Sequence, residues 1–107
     1  MNDWLVKEMR KKGQVPDLFT PDGFVWAQQL VQALKKGDYD VDKMITALEG
    51  FKFLAPKGFE AIRPQDHATL QPMFRVQLVK NGTRLVPKVL GTANSYQTAP
   101  PIAAMRG

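Results

Sequence analysis

Cysteine is absent from the 107-residue chain, and histidine occurs once, at His67. The absence of cysteine excludes disulfides, thiolate catalysis and cysteine-ligated zinc or iron–sulfur sites. One histidine with scattered carboxylates does not assemble a metal site either. No apolar run approaches the roughly 20 residues that span a membrane. Residues 1–4 carry an acidic residue and no apolar stretch, so no signal peptide is expected in this chain.

Residue patterns typical of enzymes are also missing. The glycines are isolated from one another, which excludes a phosphate-binding loop and a dinucleotide-binding fingerprint. The only serine, Ser95, is remote in sequence from the Asp66-His67 pair, and a histidine needs a positioned nucleophile or substrate to act. We therefore interpret His67 as a turn residue. The chain is predicted not to be an enzyme and to hold neither a cofactor nor a metal.

The composition that remains is that of an ordinary folded protein. Apolar residues make up 44% and charged residues 23%, which argues against intrinsic disorder. The length suits one small domain with a thin core. Fifteen Lys and Arg against ten Asp and Glu give a net charge of +5.

The basic excess has one dense cluster, which consists of Lys7, Arg10, Lys11 and Lys12. Cations at a helix end complement the helix dipole, so a solvated helix end is one interpretation of the cluster. The other is an electrostatic footprint for nucleic acid. That second interpretation defines an alternative function for the chain, a small basic nucleic-acid-binding domain, which a salt titration of binding would test.

Three helices are predicted in the first half of the chain. Their expected limits are Asn2 to Lys12, Thr20 to Lys36, and Asp40 or Asp42 to Gly50. Asn2 and Thr20 are the expected N-caps of the first two helices, and Gly13 and Gly37 their stops. The second helix is apolar over more than half its circumference near its start, which is typical of a helix covered on more than one side.

Two β-hairpins are predicted in the second half, where the apolar period changes. The strand candidates are residues 51–54, 59–63, 73–80 and 83–90, with a loop at 65–72. Asn81-Gly82 is expected to form the two-residue turn of the second hairpin, with positive φ at both residues. Core positions are expected at Phe51, Phe53, Phe59 and Phe74.

Phe24 and Trp26 have two interpretations, because they begin a helix directly after its N-terminal turn. Spacing alone favours core positions for both aromatic side chains. An aromatic residue beside free helix N–H groups can instead line a site for a small anion or carboxylate.

Several runs of residues resemble one known family. The run from Pro21 to Leu34 resembles the late helix of periplasmic solute-binding proteins of the leucine/isoleucine/valine-binding type, which serve ABC importers. The run from Gly58 to Phe74 closely matches that family's Gly-x-x-x-x-Arg-Pro-x-Asp-His-x-x-Leu-x-Pro-Met-aromatic signature. Residues 44–50 and 75–82 are similar to its short helix and its last hairpin. The resemblance covers nearly all of residues 1–90.

The resemblance implies an α/β fold that is a fragment, the C-terminal third, of a two-lobed periplasmic-binding-protein fold. It places residues 1–72 in the first lobe, 73–90 in a hinge-crossing strand and second-lobe hairpin, and 91–107 in a flexible tail. The function it implies is that of the C-terminal segment of an extracytoplasmic, periplasmic solute-binding protein. Such a protein captures a branched-chain amino acid or related small carboxylate for the membrane subunits of an ABC importer, with no nucleic acid as partner.

The resemblance also implies one binding residue directly. Phe24 falls where members of the family place an aromatic ring against the ligand side chain, and Asp22 and Gly23 on the same turn are further candidates. Most of the family's pocket lies in parts that this chain lacks. Three helices and two hairpins without a central sheet leave large apolar faces exposed. We therefore expect the chain to pair with the remaining part of the protein or to self-associate.

Overall fold

The structure, a computed structural model, describes residues 1–104. Its helices are α1 (Asn2–Lys11), α2 (Thr20–Gly37) and α3 (Val41–Leu48). Its strands are β1 (Lys52–Ala55), β2 (Gly58–Ile62), β3 (Thr69–Leu70), β4 (Met73–Asn81) and β5 (Arg84–Ala93). The three helices and both hairpins are confirmed. The prediction of a loop at 65–72 is wrong in one respect, because residues 69–70 pair with β2 as a short third strand.

The start of α2 is set by Asp17 rather than by Thr20. Asp17 Oδ1 accepts hydrogen bonds from the backbone N–H groups of Phe19 and Thr20, both at 2.9 Å. It also accepts one from the Thr20 hydroxyl at 3.0 Å. The predicted Thr20 cap is therefore wrong, because Thr20 is already helical and the residue before α2 makes no side-chain cap. Asn2 is likewise the first helical residue of α1 rather than its cap.

The junction between α2 and α3 depends on close packing at Gly37. The residues with positive φ are the next two, Asp38 at 47° and Tyr39 at 61°, so Gly37 is not needed for a left-handed backbone. A Cβ at Gly37 would instead lie 2.7 Å from both the backbone N and the Cα of Met44 in α3. The helix ends at Gly37 as predicted, for a reason that lies in the neighbouring helix. Asp40, one of the two starts predicted for α3, caps that helix by accepting a hydrogen bond from the Lys43 N–H.

The core lies between α2 and an antiparallel sheet with the strand order β1-β2-β3. Alternate residues of the first two strands are buried, as period-two side-chain alternation requires. Val25 of α2 packs against Phe53 and Ala55 of β1, and Phe51 stacks on Phe53 with ring centroids 4.7 Å apart. This cluster holds α2 on the sheet and so positions the first turns of the helix.

Large apolar side chains stay uncovered elsewhere on the molecule. Phe59 is 73% exposed, Phe74 44% and Trp26 77%, so their predicted core positions are wrong. The chain exposes 8258 Å² in total, whereas a compact monomer of its mass exposes about 6,000 Å². Its radius of gyration of 16.6 Å likewise exceeds the roughly 13 Å of a compact chain of this length. The expectation of exposed apolar faces is thereby confirmed.

The β4–β5 hairpin forms a sheet of its own, and its turn is displaced by one residue from the prediction. Asn81 pairs with Arg84, so the two-residue loop is Gly82-Thr83. Gly82 has a φ of +62° and Thr83 has no positive φ, which is the pattern of a type II′ turn with glycine first. The predicted Asn81-Gly82 turn with two positive φ angles is wrong, because pairing along both long strands sets the register.

We expect Gly82→Val to destabilise this hairpin by about 1–2 kcal/mol, because a β-branched residue is disfavoured in the left-handed region. Thr83→Ala is the matched control, since position 83 has no positive φ. Amide hydrogen exchange along β4 and β5 measures the effect. Equal protection in the two variants would contradict the assignment of the turn.

The chain beyond β5 folds back onto the 63–71 segment. β5 itself continues to Ala93 and so includes the first residues of the segment expected to be a tail. The Thr98 hydroxyl donates a hydrogen bond to the Gln71 carbonyl at 2.7 Å, and Arg63 donates to the Pro100 carbonyl at 2.8 Å. Residues 105–107 lie outside the described part. Flexibility of residues 91–107 stays a prediction.

Candidate ligand site

The three candidate binding residues lie in the first turns of α2 and have different surroundings. Phe24 is half-buried, and its ring meets Trp4 of α1 edge-on, with ring centroids 5.8 Å apart and an interplanar angle of 63°. Gly23 is exposed, and no heavy atom lies within 4 Å of the position a Cβ would take. Trp4 therefore supports the ring of Phe24 from α1.

The side chain of Asp22 forms an ion pair with Lys57. Its Oδ1 lies 2.5 Å from Lys57 Nζ, and Lys57 also donates a hydrogen bond to Gln71 Oε1 at 3.0 Å. Lys57 belongs to the turn between β1 and β2, so this ion pair ties the start of α2 to the sheet. The ion pair thus holds the helix turn that carries Gly23 and Phe24 against the sheet.

Glu60 of β2 is a polar core residue that the sequence interpretation missed. It is 2% exposed, lies opposite Phe53 in the strand register, and neither carboxylate oxygen has a hydrogen-bond partner. Burial raises the pKa of Glu60, while the charge of Lys57 lowers this pKa and that of Asp22 raises it. The alternation of side chains along β2 could have predicted this burial, because Glu60 lies on the same face of the strand as the buried Ile62.

The segment after β2 is a charged turn in which Asp66 pairs with Arg63. Asp66 accepts hydrogen bonds from Arg63 Nε at 2.8 Å and from a terminal guanidinium nitrogen at 2.5 Å. The Arg63 guanidinium holds the pKa of Asp66 well below its usual range. His67 has a φ of +57°, and its Nε2 lies 2.9 Å from Glu49 Oε1. The interpretation of His67 as a turn residue is confirmed, because its backbone N–H donates a hydrogen bond to the Arg63 carbonyl at 2.9 Å.

Residues 1–104 contain neither a metal-binding cluster nor a helix that could cross a membrane. Within that range, no three His, Asp or Glu side chains come together in an arrangement that could hold a metal ion. None of the helices described is both long enough and apolar enough to cross a membrane.

The basic cluster at the end of α1 has the placement of a solvated helix end. Arg10 and Lys11 lie in the last turn of α1, where cations complement the dipole. Lys11 Nζ forms an ion pair with Glu8 at 2.6 Å, which neutralises part of the cluster. This local pairing reduces the charge that the cluster would offer to a nucleic acid.

The structure is similar to solved solute-binding proteins of ABC transporters. It matches an ABC-type branched-chain amino acid transporter from Rhodopseudomonas palustris CGA009 with a TM-score of 0.84 and 31% identity, over 97% of this chain and 29% of that one. The chain has the structure of part of a solute-binding protein of the branched-chain amino acid type. The same similarity confirms the predicted α/β fold class. No protein-family model matches the chain, and no curated protein does.

Two other solved solute-binding proteins share the fold. One is the solute-binding protein of an ABC transporter from Rhodopseudomonas palustris BisB5 in complex with 3,4-dihydroxybenzoic acid, at 23% identity and a TM-score of 0.74, over 87% of this chain and 26% of that one. The other is a leucine-, isoleucine-, valine-, threonine- and alanine-binding protein from Brucella ovis in a closed conformation. It matches at 19% identity and a TM-score of 0.78, over 98% of this chain and 31% of that one. The chain spans less than a third of the length of each of these solute-binding proteins.

Proposed function

We propose that the chain is the C-terminal segment of an extracytoplasmic, periplasmic solute-binding protein that captures a small amino acid or related carboxylate for the membrane subunits of an ABC importer. The similarity to the branched-chain amino acid transporter of Rhodopseudomonas palustris, over 97% of this chain at 31% identity, carries the proposal. The role is one of binding, without catalysis. The benzoic acid and the amino acids named for the related folds share a carboxylate, which supports that ligand class.

Within the site, Phe24 forms the apolar wall against the ligand side chain. Its half-buried ring is backed by Trp4, which meets it edge-on. Asp22 contributes by anchoring the turn through Lys57. These contacts give the aromatic wall a fixed position on α2.

The chain divides at about residue 72 in this proposal. Residues 1–72 belong to the first lobe, and 73–90 cross the hinge and form a hairpin of the second lobe. The separate sheets β1-β2-β3 and β4-β5 support this division. The ligand would then favour a closed arrangement by touching both lobes.

The rest of the binding protein is required for measurable affinity. One apolar wall offers a small ligand about 1–2 kcal/mol by the area rule. Association costs several kcal/mol in lost translational and rotational freedom. We therefore expect the isolated chain to bind free amino acids weakly or not at all.

A chimera tests the proposed function. In it, this chain replaces the matched segment of the Rhodopseudomonas palustris branched-chain amino acid transporter protein. We expect calorimetry to detect binding of at least one of leucine, valine, phenylalanine and 3,4-dihydroxybenzoate. Phe24→Ala in the chimera should weaken that binding by about 10- to 100-fold, because a buried aromatic contact of about 1.5–3 kcal/mol is lost.

Phe59→Ala is the matched control in the chimera. Phe59 is also an aromatic residue, and it lies on the face of the sheet opposite to Glu60 and α2. Its removal should leave the affinity unchanged. A folded chimera that binds none of these ligands, or one in which Phe24→Ala binds as tightly as the parent, would refute the proposed function.

A further inference from the structure

The segment that follows β5 links the two sheets a second time. Ala93, the last residue of β5, pairs with Met73, the first residue of β4, so this segment leaves from the base of the hairpin. It then returns to the turn after β2, in the first sheet. We infer that residues 94–103 form a strap that fixes the direction of the β4–β5 hairpin relative to α2 and the sheet β1-β2-β3. The inference does not depend on the proposed function.

Side-chain packing contributes little to holding the hairpin in place. Every residue of β4 and β5 is exposed or half-buried, and the two strands form a sheet of their own. The direct connection to the first sheet is Gln71-Pro72, the two residues between β3 and β4. Such a short connection can act as a hinge, because changes in a few backbone angles redirect everything that follows. A second anchor at the base of the hairpin removes that freedom.

The strap is fastened at its start beside this connection. Asn94 Oδ1 accepts hydrogen bonds from the backbone N–H groups of Tyr96 and Gln97, at 3.1 and 3.0 Å, which turns the chain back. The Thr98 hydroxyl then donates a hydrogen bond to the Gln71 carbonyl at 2.7 Å. The strap therefore begins against the same two-residue connection that it braces.

At its end the strap is latched by two charged side chains of the first sheet's turn. The Arg63 guanidinium donates hydrogen bonds to the Pro100 and Pro101 carbonyls, at 2.8 and 3.3 Å. Asp66 Oδ2 accepts one from the Ala103 N–H at 3.1 Å. All three contacts are made to the main chain of the strap. The two prolines fix their own φ angles and keep the residues before them extended, so the strap loses little entropy when it docks.

The latch is preformed in the turn that carries it. Arg63 and Asp66 are three residues apart, and their side chains are only 12% and 6% exposed. Asp66 Oδ1 accepts hydrogen bonds from Arg63 Nε at 2.8 Å and from the Ala68 N–H at 3.2 Å, which orients the carboxylate. Hydrogen bonds to charged groups are the stronger class. The latch should therefore hold the strap closed in the parent chain.

The test measures the distance between α2 and the tip of the hairpin in the full chain. The chain has no cysteine, so Lys36→Cys in α2 and Lys80→Cys in β4, both at exposed positions, carry the only two spin labels. Labelled chain is diluted into unlabelled chain, so that pulsed electron paramagnetic resonance reports distances within one copy. We expect one narrow distance distribution for the parent.

Two variants open the latch from opposite sides. Arg63→Lys keeps the positive charge but lacks the planar fork that reaches two carbonyls, so it should broaden the distribution about twofold or more. Ala103→Pro removes the N–H that Asp66 accepts and leaves Arg63 and Asp66 in place, so it should broaden the distribution as well.

The matched controls are Arg75→Lys, at an exposed arginine of β4, and Ala104→Pro, one residue beyond the latched N–H. Both should leave the width of the distribution unchanged. Circular dichroism checks that Arg63→Lys is folded, and Ala103→Pro decides the question if it is not. A parent distribution as broad as that of the variants, an unchanged width in Ala103→Pro, or equal broadening by the controls would overturn the inference.

Discussion

Gly37→Ala is expected to lower the free energy of unfolding by about 3 kcal/mol, the upper end for overpacking a close contact. The new Cβ would overlap Met44 Cγ and would lie 2.7 Å from the Met44 N and Cα. A different rotamer of Met44 relieves only the first of these contacts, since the other two atoms belong to the backbone. The substitution therefore has to move α3 away from α2. Urea unfolding followed by far-UV circular dichroism measures the loss.

Gly23→Ala is the matched control for that experiment. Gly23 is also a glycine of α2, but a Cβ there would meet no heavy atom within 4 Å. Alanine has the higher helix propensity, by up to about 1 kcal/mol, so Gly23→Ala should be neutral or stabilising. If both substitutions moved the unfolding midpoint in the same direction by similar amounts, the packing explanation at Gly37 would be wrong.

The isolated chain is expected to self-associate at micromolar concentration. It exposes 8258 Å², which is about 2,300 Å² more than a compact monomer of its mass. A protein–protein interface of standard size covers about 800 Å² on each partner, so the excess is ample for a stable contact. Light scattering after size-exclusion chromatography measures the mass. A monomer at every accessible concentration would contradict the prediction.

A pair of substitutions in β4 locates the association surface. Leu78 is 63% exposed, and Leu85 at the diagonal position across the hairpin is 66% exposed, so they form an apolar face. Leu78→Lys should shift the chain toward the monomer. Gln77→Lys adds the same charge to the adjacent position, on the opposite face of the strand, and should have the smaller effect. Equal effects would point to net charge rather than to this apolar face.

Much of the fold is determined by signals that act over a few residues. Gly13 follows the first helix with a φ of +70°, and Asp40 caps the third helix through its own side chain. Alternation of Phe74, Val76 and Leu78 predicts the long strand that the structure contains. Such signals are readable in the sequence because neighbours in the chain supply both partners of each interaction. The motif from Gly58 to Phe74 indicated the solute-binding family for a similar reason, since it is a continuous run.

Features that depend on distant partners were decided by the tertiary structure. Pairing along the whole of β4 and β5 moved the turn to Gly82-Thr83, although Asn81-Gly82 is the stronger local signal. The same dependence explains why Phe59 is exposed while Glu60 beside it is buried under α2.

The sequence alone thus determined where helices and hairpins form and placed Phe24 on the first turns of α2. Periodicity separates the two faces of a strand or helix, but which face is covered depends on the elements that pack against it. Only the tertiary structure brought Asp22 to Lys57 and buried the Glu60 carboxylate without a hydrogen-bond partner, because both depend on segments that are far apart in the chain.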